Sequence, residues 1–242
     1  MQRFFLFPFH SKDGLVEIGG NLAHQIKNVL RSVVGDDYLL LDNAGSEYDA
    51  RLTSILKDKV IFEIIDKRQA GGEPYIHIHL YQSFIRKERF EFVLQKGTEI
   101  GVASFTPLIT NRCVSLPKKL AEKQVRWLSI IREAAEQSER GMVPRLNEAL
   151  SLQDACNGAR GFSMIFWECE KDLKLSKALK TYSHELDRQI NIFVGPEGGF
   201  TADEIELAAE NGIKSVSLSN RILRSETAAL VACANILYHF DR

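Results

Sequence analysis

Residues 70–74, Ala70-Gly71-Gly72-Glu73-Pro74, constrain this chain most, because residue patterning differs on their two sides. Glycine frees the backbone, and Pro74 forces the residue before it into an extended state. Upstream, residues 15–18, 38–41, 47–52 and 60–65 are short and rich in β-formers. Turn signals separate them: Gly19-Gly20, Gly35-Asp36-Asp37, Asn43-Ala44-Gly45 and Lys57-Asp58-Lys59. One helical segment interrupts at about 22–33, and the aromatic start, 1–10, fits a strand entering a small barrel. Downstream, strand candidates 76–81, 105–109, 162–168, 190–194 and 215–218 alternate with helices. The expectation is two domains: a small β-barrel over 1–70 and a mostly parallel α/β domain over 74–242.

Three helices can be placed. In 118–140, Val125, Leu128, Ile131 and Ala135 recur at spacings of three and four and predict one apolar face. Thr201-Ala202-Asp203-Glu204 has the form of a capping box, and Gly212 offers the stop. A last helix is expected over 226–240.

Composition excludes some classes. With 45% hydrophobic residues a real core is available, yet the apolar stretches, such as 164–167 and 190–194, fall far short of a membrane span of roughly 20 residues. The start does not read as a leader. Cys113, Cys156, Cys169 and Cys233 lie far apart with no CxxC pair, which suits reduced thiols and a cytoplasmic protein. Net charge is −1, but residues 83–145 hold twelve Lys/Arg against seven Asp/Glu. That excess fits a solvated helix face as readily as a nucleic-acid surface.

The sharpest motif is Gly195-Pro196-Glu197-Gly198-Gly199-Phe200, between the apolar strand 190–194 and the capped helix. Ligands of open α/β sheets bind at the carboxyl ends of strands, so this loop sits where a cofactor would lie; a plain strand-to-helix turn has the same look. It matches neither dinucleotide fingerprint nor P-loop, and no lysine follows the glycines. A second run, Leu218-Ser219-Asn220-Arg221-Ile222-Leu223-Arg224-Ser225-Glu226-Thr227-Ala228, brings two guanidiniums to a helix start. They need an anion there, either a ligand or the neighbouring Glu226. Glu133, Gln137 and Arg140, at i, i+4 and i+7, form a polar stripe that is ordinarily a solvated face. His77 and His79 share one strand face but have no third ligand nearby, so no metal is expected. No G-x-S-x-G supports a serine nucleophile.

Together and in this order, these blocks resemble the RsmE-type family of the SPOUT superfamily, the 16S rRNA (uracil-N3)-methyltransferases. The resemblance runs over nearly the whole chain. It rests on His24, Val29-Leu30-Arg31, Gln82, residues 95–102 (Gln-Lys-Gly-Thr-Glu-Ile-Gly-Val), Pro107, Arg112, Trp127, residues 133–140 (Glu-Ala-Ala-Glu-Gln-Ser-Glu-Arg), Val143-Pro144, the 195–200 loop and residues 221–228. One position departs: the family has Leu-Gly before its Arg-Ile-Leu-Arg, and here it is Leu218-Ser219. That glycine lets the backbone approach the cofactor, so Ser219 must avoid positive φ to serve in its place.

The resemblance implies a fold that patterning does not: a PUA-like, RNA-binding N-terminal barrel and a SPOUT α/β domain with a deep trefoil knot, otherwise nearly absent from proteins. It also implies a homodimer, S-adenosyl-L-methionine as cofactor, and 16S ribosomal RNA or the small ribosomal subunit as partner. Carried over, the cofactor residues are Trp167, Glu168, Gly195, Pro196, Glu197, Gly198, Gly199, Leu218, Ser219, Asn220, Arg221, Ile222, Leu223 and Thr227. Uridine N3 is a poor nucleophile until its proton leaves, so a base or a cation is required. Arg224 is the expected anion stabiliser, with Glu226 as its orienter or the base. Lys27, Arg31, Arg112 and Arg140 are the expected phosphate contacts, which position RNA without reading sequence.

Overall fold

The computed structural model describes residues 1–113, 120–182 and 187–240. It divides into two compact units: residues 1–73 with 135–143, and residues 74–134 with 144–242.

The first unit is built on β1 (Gln2–Phe5), β2 (Leu15–Gly19), β3 (Asp37–Leu41), β4 (Ser46–Ile55) and β5 (Lys59–Gln69). The sheet order is β1-β3-β4-β5-β2, with β1 parallel to β3 and the other pairs antiparallel. β1 and β2 therefore end the sheet unpaired to each other, so the expected small barrel is a curled half-barrel, open between these two strands. Register shifts at Asp49/Ala50 and Leu52/Ser54 bend the long β4–β5 ladder. In β2, Val16 and Ile18 are buried while Leu15 and Glu17 are exposed, the period-two alternation of a half-buried strand. Val16 and Ile18 join Phe4, Tyr38, Leu40, Leu52, Val60 and Phe62 in the core.

The expected helix at 22–33 is shorter and less regular. It is α1 (Gly20–His24), running on as a π-helical turn over Gln25–Val29. Arg31, at φ 54, then ends the helical path, since a left-handed residue cannot continue a right-handed helix.

The second unit holds a parallel sheet of β6 (His77–Ser83), β7 (Ser104–Ile109), β8 (Arg145–Leu146), β10 (Phe162–Phe166), β11 (Gln189–Val194) and β12 (Lys214–Val216), in the order β12-β10-β11-β6-β7-β8. β9 (Leu150–Ser151) pairs with β7. The central β10 and β11 are buried almost throughout, as a parallel sheet covered on both faces requires. The helices are α2 (Lys87–Ile100), α3 (Leu120–Gln137), α4 (Leu152–Gly158), α5 (Leu175–Lys180), α6 (Ala202–Glu210) and α7 (Ser225–Phe240).

The capping box is present. Thr201 Oγ1 accepts from the Glu204 N–H at 3.2 Å, and the Thr201 N–H donates to Glu204 Oε2 at 2.8 Å. Gly212, at φ 74, follows the helix. Two expected strands stop early: the one read as 162–168 ends at Phe166, and the one read as 215–218 ends at Val216. Trp167, Glu168 and Leu218 are thereby released into loops.

α3 differs from its expected form in two ways. Lys118 and Lys119, its expected first residues, lie outside the described residues. The buried face is Trp127, Ile131, Ala134 and Ala135, while Val125 is 71% and Leu128 47% exposed. Trp127 packs at a tilt of 46° against Phe90 of α2, with ring centroids 4.8 Å apart. The large aromatic decides which face turns inward. No helix among the described residues is long and apolar enough to cross a membrane.

Candidate active site

Three adjacent parallel strands end beside one another. β10 runs into Trp167 and Glu168, β11 into Gly195–Gly199, and β12 into residues 217–224. These segments enclose a cavity of about 450 Å³. Every expected cofactor residue except Thr227 lines it. Thr227 is turned away because successive helical residues are about 100° apart; Ser225 and Ala228 of α7 face the cavity instead.

Local geometry explains the residue types. Gly199 takes φ +67, and a β-carbon on it would lie 2.2 Å from the Glu168 carboxylate. Only glycine meets both conditions. The Gly199 N–H closes the turn on the Pro196 carbonyl at 3.0 Å. Gly198 lies against the stem of Arg112, whose Nη1 donates to the Gly198 carbonyl at 2.8 Å. Ser219 stays out of the left-handed region, and its Oγ accepts the Arg221 N–H at 3.1 Å. The serine that stands for the family glycine is therefore accommodated without backbone strain.

One buried chain of hydrogen bonds joins the loop to the sheet and to α7. Ser225 Oγ donates to the Gly195 carbonyl at 2.5 Å, and Gln82 Nε2 donates to Ser225 Oγ at 3.0 Å. Gln82 lies at the end of β6, next to β11. The start of α7 is thus pinned to the loop after β11.

The ion pairs differ from expectation. Arg89 of α2 reaches Glu226 Oε1 from Nε at 3.5 Å and Glu197 Oε1 from Nη1 at 3.6 Å. The Arg86 N–H also donates to Glu197 at 3.3 Å. Glu226 was expected to orient Arg224 or to act as the base; its carboxylate pairs with Arg89, and Glu226 does not line the cavity. Arg221 and Arg224 are exposed, line the cavity, and pair with no carboxylate among the described residues. Two cations are therefore left for a ligand.

Arg89 was missed. Its signal was available: Arg86, Lys87 and Arg89 crowd a helix start, where cations are disfavoured unless carboxylates meet them. Phe166, Val194 and Ala228, also in the wall, carry no such signal, being apolar residues like any other.

The four expected phosphate contacts fare differently. Arg31 is exposed. Lys27 donates to the carbonyls of Leu56 and Lys57 at 2.7 and 2.8 Å, and Arg112 joins the cofactor-side loop. Arg140 is a correction. It is 3% exposed and paired with Glu73, which also accepts the Gly141 and Met142 N–H groups. Glu139 turns the chain at φ 58 beyond the end of α3, so Arg140 leaves the polar stripe and folds onto the linker.

The cavity suits S-adenosylmethionine. Its volume falls within the roughly 300–1,000 Å³ usual for cofactor sites. Its wall combines apolar side chains with bare glycine backbone, the Glu168 carboxylate matches an ammonium or a sulfonium, and Arg221 matches a carboxylate. No lysine lines it, unlike a phosphate cradle.

Comparison with known proteins agrees in kind. Residues 72–237 match the model of the RNA methyltransferase domain. The chain is 33% identical to the ribosomal RNA small subunit methyltransferase E of Bacillus subtilis, over 93% of this chain and 90% of that protein. Among solved structures it is similar to a ribosomal RNA small subunit methyltransferase E from Neisseria gonorrhoeae bound to S-adenosyl methionine. There the TM-score is 0.89 at 32% identity, covering 99% of this chain and 98% of the other. A methyltransferase from Legionella pneumophila in complex with its bound cofactor gives 0.87 at 30%, covering 98% and 97%.

Proposed function

This chain belongs to the RNA methyltransferase family, and from that premise we propose that it transfers a methyl group from S-adenosylmethionine to N3 of a uridine in 16S ribosomal RNA of the small subunit. One observation carries the reading: three loops from three neighbouring parallel strands close on a single cavity whose wall holds glycine backbone, two carboxylates and two arginines that meet no carboxylate among the described residues.

Trp167, Glu168, the 195–199 loop and residues 218–223 would hold the cofactor, which supplies an electrophilic methyl carbon when bound. The uracil N3–H must give up its proton, to water, before the nitrogen can attack; as the N3–methyl bond forms, the sulfur–methyl bond breaks and leaves the cofactor as a neutral thioether. Arg224, exposed on the cavity wall and free of any carboxylate among the described residues, stabilises the negative charge left on the ring. Glu226 acts through Arg89 as a positioning residue. Fixing both partners removes much of the entropy cost of their encounter. The uridine must be unstacked to reach this site, which suits single-stranded or bulged RNA. Lys27, Arg31 and Arg112 are the phosphate contacts of this reading.

The same reading includes the trefoil knot, the PUA-like character of the first unit, a homodimer and a cytoplasmic location.

Mass spectrometry of nucleosides from small-subunit rRNA, with and without the protein, is the test. Loss of N3-methyluridine on deletion, restored by the natural chain and not by Arg224→Ala, is the expected result. Unchanged N3-methyluridine overturns the target assignment.

A further inference from the structure

Lys171, Lys174, Lys177 and Lys180 recur at every third position, with Asp172 the only acid among residues 171–180. Residues three apart on a helix are neighbours, so the last three lysines form a stripe along α5. All four are exposed, and none pairs with a carboxylate among the described residues. A basic helix face is ordinarily just solvated. Two further observations set this one apart.

The stripe is fastened to the cofactor-side loop. The Ser217 N–H donates to the Leu173 carbonyl at 2.8 Å, and the Leu175 N–H donates to the Ser217 carbonyl at 3.0 Å. Lys174 thereby lies in a parallel bridge with Ser217, the residue that leads into 218–223. A second cavity, of about 400 Å³, opens beside that same loop. Residues 217–221 line both cavities. Lys174 and Arg221 face the second one with His239, Asn220 and Asn235, beside the apolar Leu175, Leu179 and Leu218, and no carboxylate among the described residues does. Two cations and several neutral donors on its rim, with no acid among the described residues, favour a polyanion.

We infer that the lysine stripe and this second cavity form a phosphate track. It holds the backbone of single-stranded RNA next to the uridine that enters the cofactor cavity. The inference rests on the methyltransferase reading for the identity of the polyanion. Phosphate contacts made here fix register and leave base choice to the cofactor-side cavity.

Binding of a short uridine-containing single-stranded RNA, measured by fluorescence anisotropy at several salt concentrations, tests the track. Each lost phosphate contact lowers the slope of log K against log salt by about 0.7 for a single strand. Lys174→Gln with Lys177→Gln should lower it by about 1.4. Between about 50 and 200 mM salt the natural protein then loses about 7-fold more affinity than the variant. The control, Lys12→Gln with Lys67→Gln, removes the same charge from the first unit and should leave the slope unchanged. Calorimetry with S-adenosylmethionine should give the same affinity for all three proteins, which establishes that the variants fold. Equal slopes for the two variants overturn the track. So does a polyglutamate probe that binds as tightly as the RNA and weakens equally, since that makes the surface a site for an acidic protein. The salt slope does not depend on which nucleoside is methylated, so it stands or falls apart from the rRNA assay.

Discussion

Arg140→Ala separates a structural arginine from an RNA contact. The guanidinium is 3% exposed, its Nε lies 3.2 Å from Glu73, and its carbonyl accepts from Arg3 at 3.2 Å. Glu73 also holds the Gly141 and Met142 N–H groups at 3.1 and 3.0 Å. Removing one partner of a buried pair costs about 3–5 kcal/mol, because the other charge stays buried and alone. The Glu73 side chain is 27% exposed, so water recovers part of that penalty. The low end, about 3 kcal/mol, applies. At about 2–4 °C per kcal/mol for a protein of this size, the thermal midpoint falls by about 6–12 °C. Arg126→Ala is the comparison: its pair with Glu91 has the same chemistry on an exposed, water-screened arginine, so its midpoint should stay close to the parent's. Differential scanning calorimetry gives both midpoints, and RNA titration against salt gives the slopes. A midpoint within about 2 °C of the parent, together with a slope lowered by about 0.7, would refute the burial argument and return Arg140 to the RNA surface.

Arg89→Ala should lower turnover on the order of 10-fold. Arg89→Lys should fall between, because one ammonium cannot replace a guanidinium that reaches Glu197 and Glu226 together. Turnover and cofactor affinity measured side by side check this, and parental activity in Arg89→Ala would remove its positioning role. Gly199→Ala adds about 1–2 kcal/mol of left-handed strain and pushes on Glu168, so calorimetry should show cofactor affinity weakened about 5–30-fold. Burial pushes the Cys156 thiol up to about 11 and the Cys233 thiol up to about 12. The thiolate is the reactive form, and a raised pKa keeps these groups protonated until the pH nears those values. At pH 8 iodoacetamide should therefore label exposed Cys169 and spare both, as read by peptide mass spectrometry. Equal labelling of Cys156 would refute its burial.

Much of the site is legible in the sequence. Strand 190–194, the glycine loop and the capping box each follow from local chemistry. Thr201 and Glu204 satisfy each other's backbone within one turn, whatever surrounds them. The glycines of 195–199 mark a place where a side chain would collide, and the collision is real, with Glu168 at Gly199. The failures lie where a residue's partner is distant in sequence. Glu226 sits beside Arg224 along the chain, but its ion pair is with Arg89, 137 positions earlier. Arg140 reads as one more cation on a polar stripe until Glu73, across 67 positions, claims it. Val125 and Leu128 fit the helical period, yet Trp127 packing on Phe90 turned a different face inward.

The sequence by itself determined the two patterns of secondary structure, the break between them near Pro74, the loop that receives a cofactor and the family that owns such a loop. These are consequences of steric freedom, period and capping, all settled within a few residues. Tertiary structure alone decided that the first sheet stays open, that Trp167 and Glu168 join residues 195–199 and 217–224 around one cavity, and which charges are paired and which left free. Those outcomes turn on strand order and on contacts between remote residues, whose free energy is gained only after the chain has closed on itself.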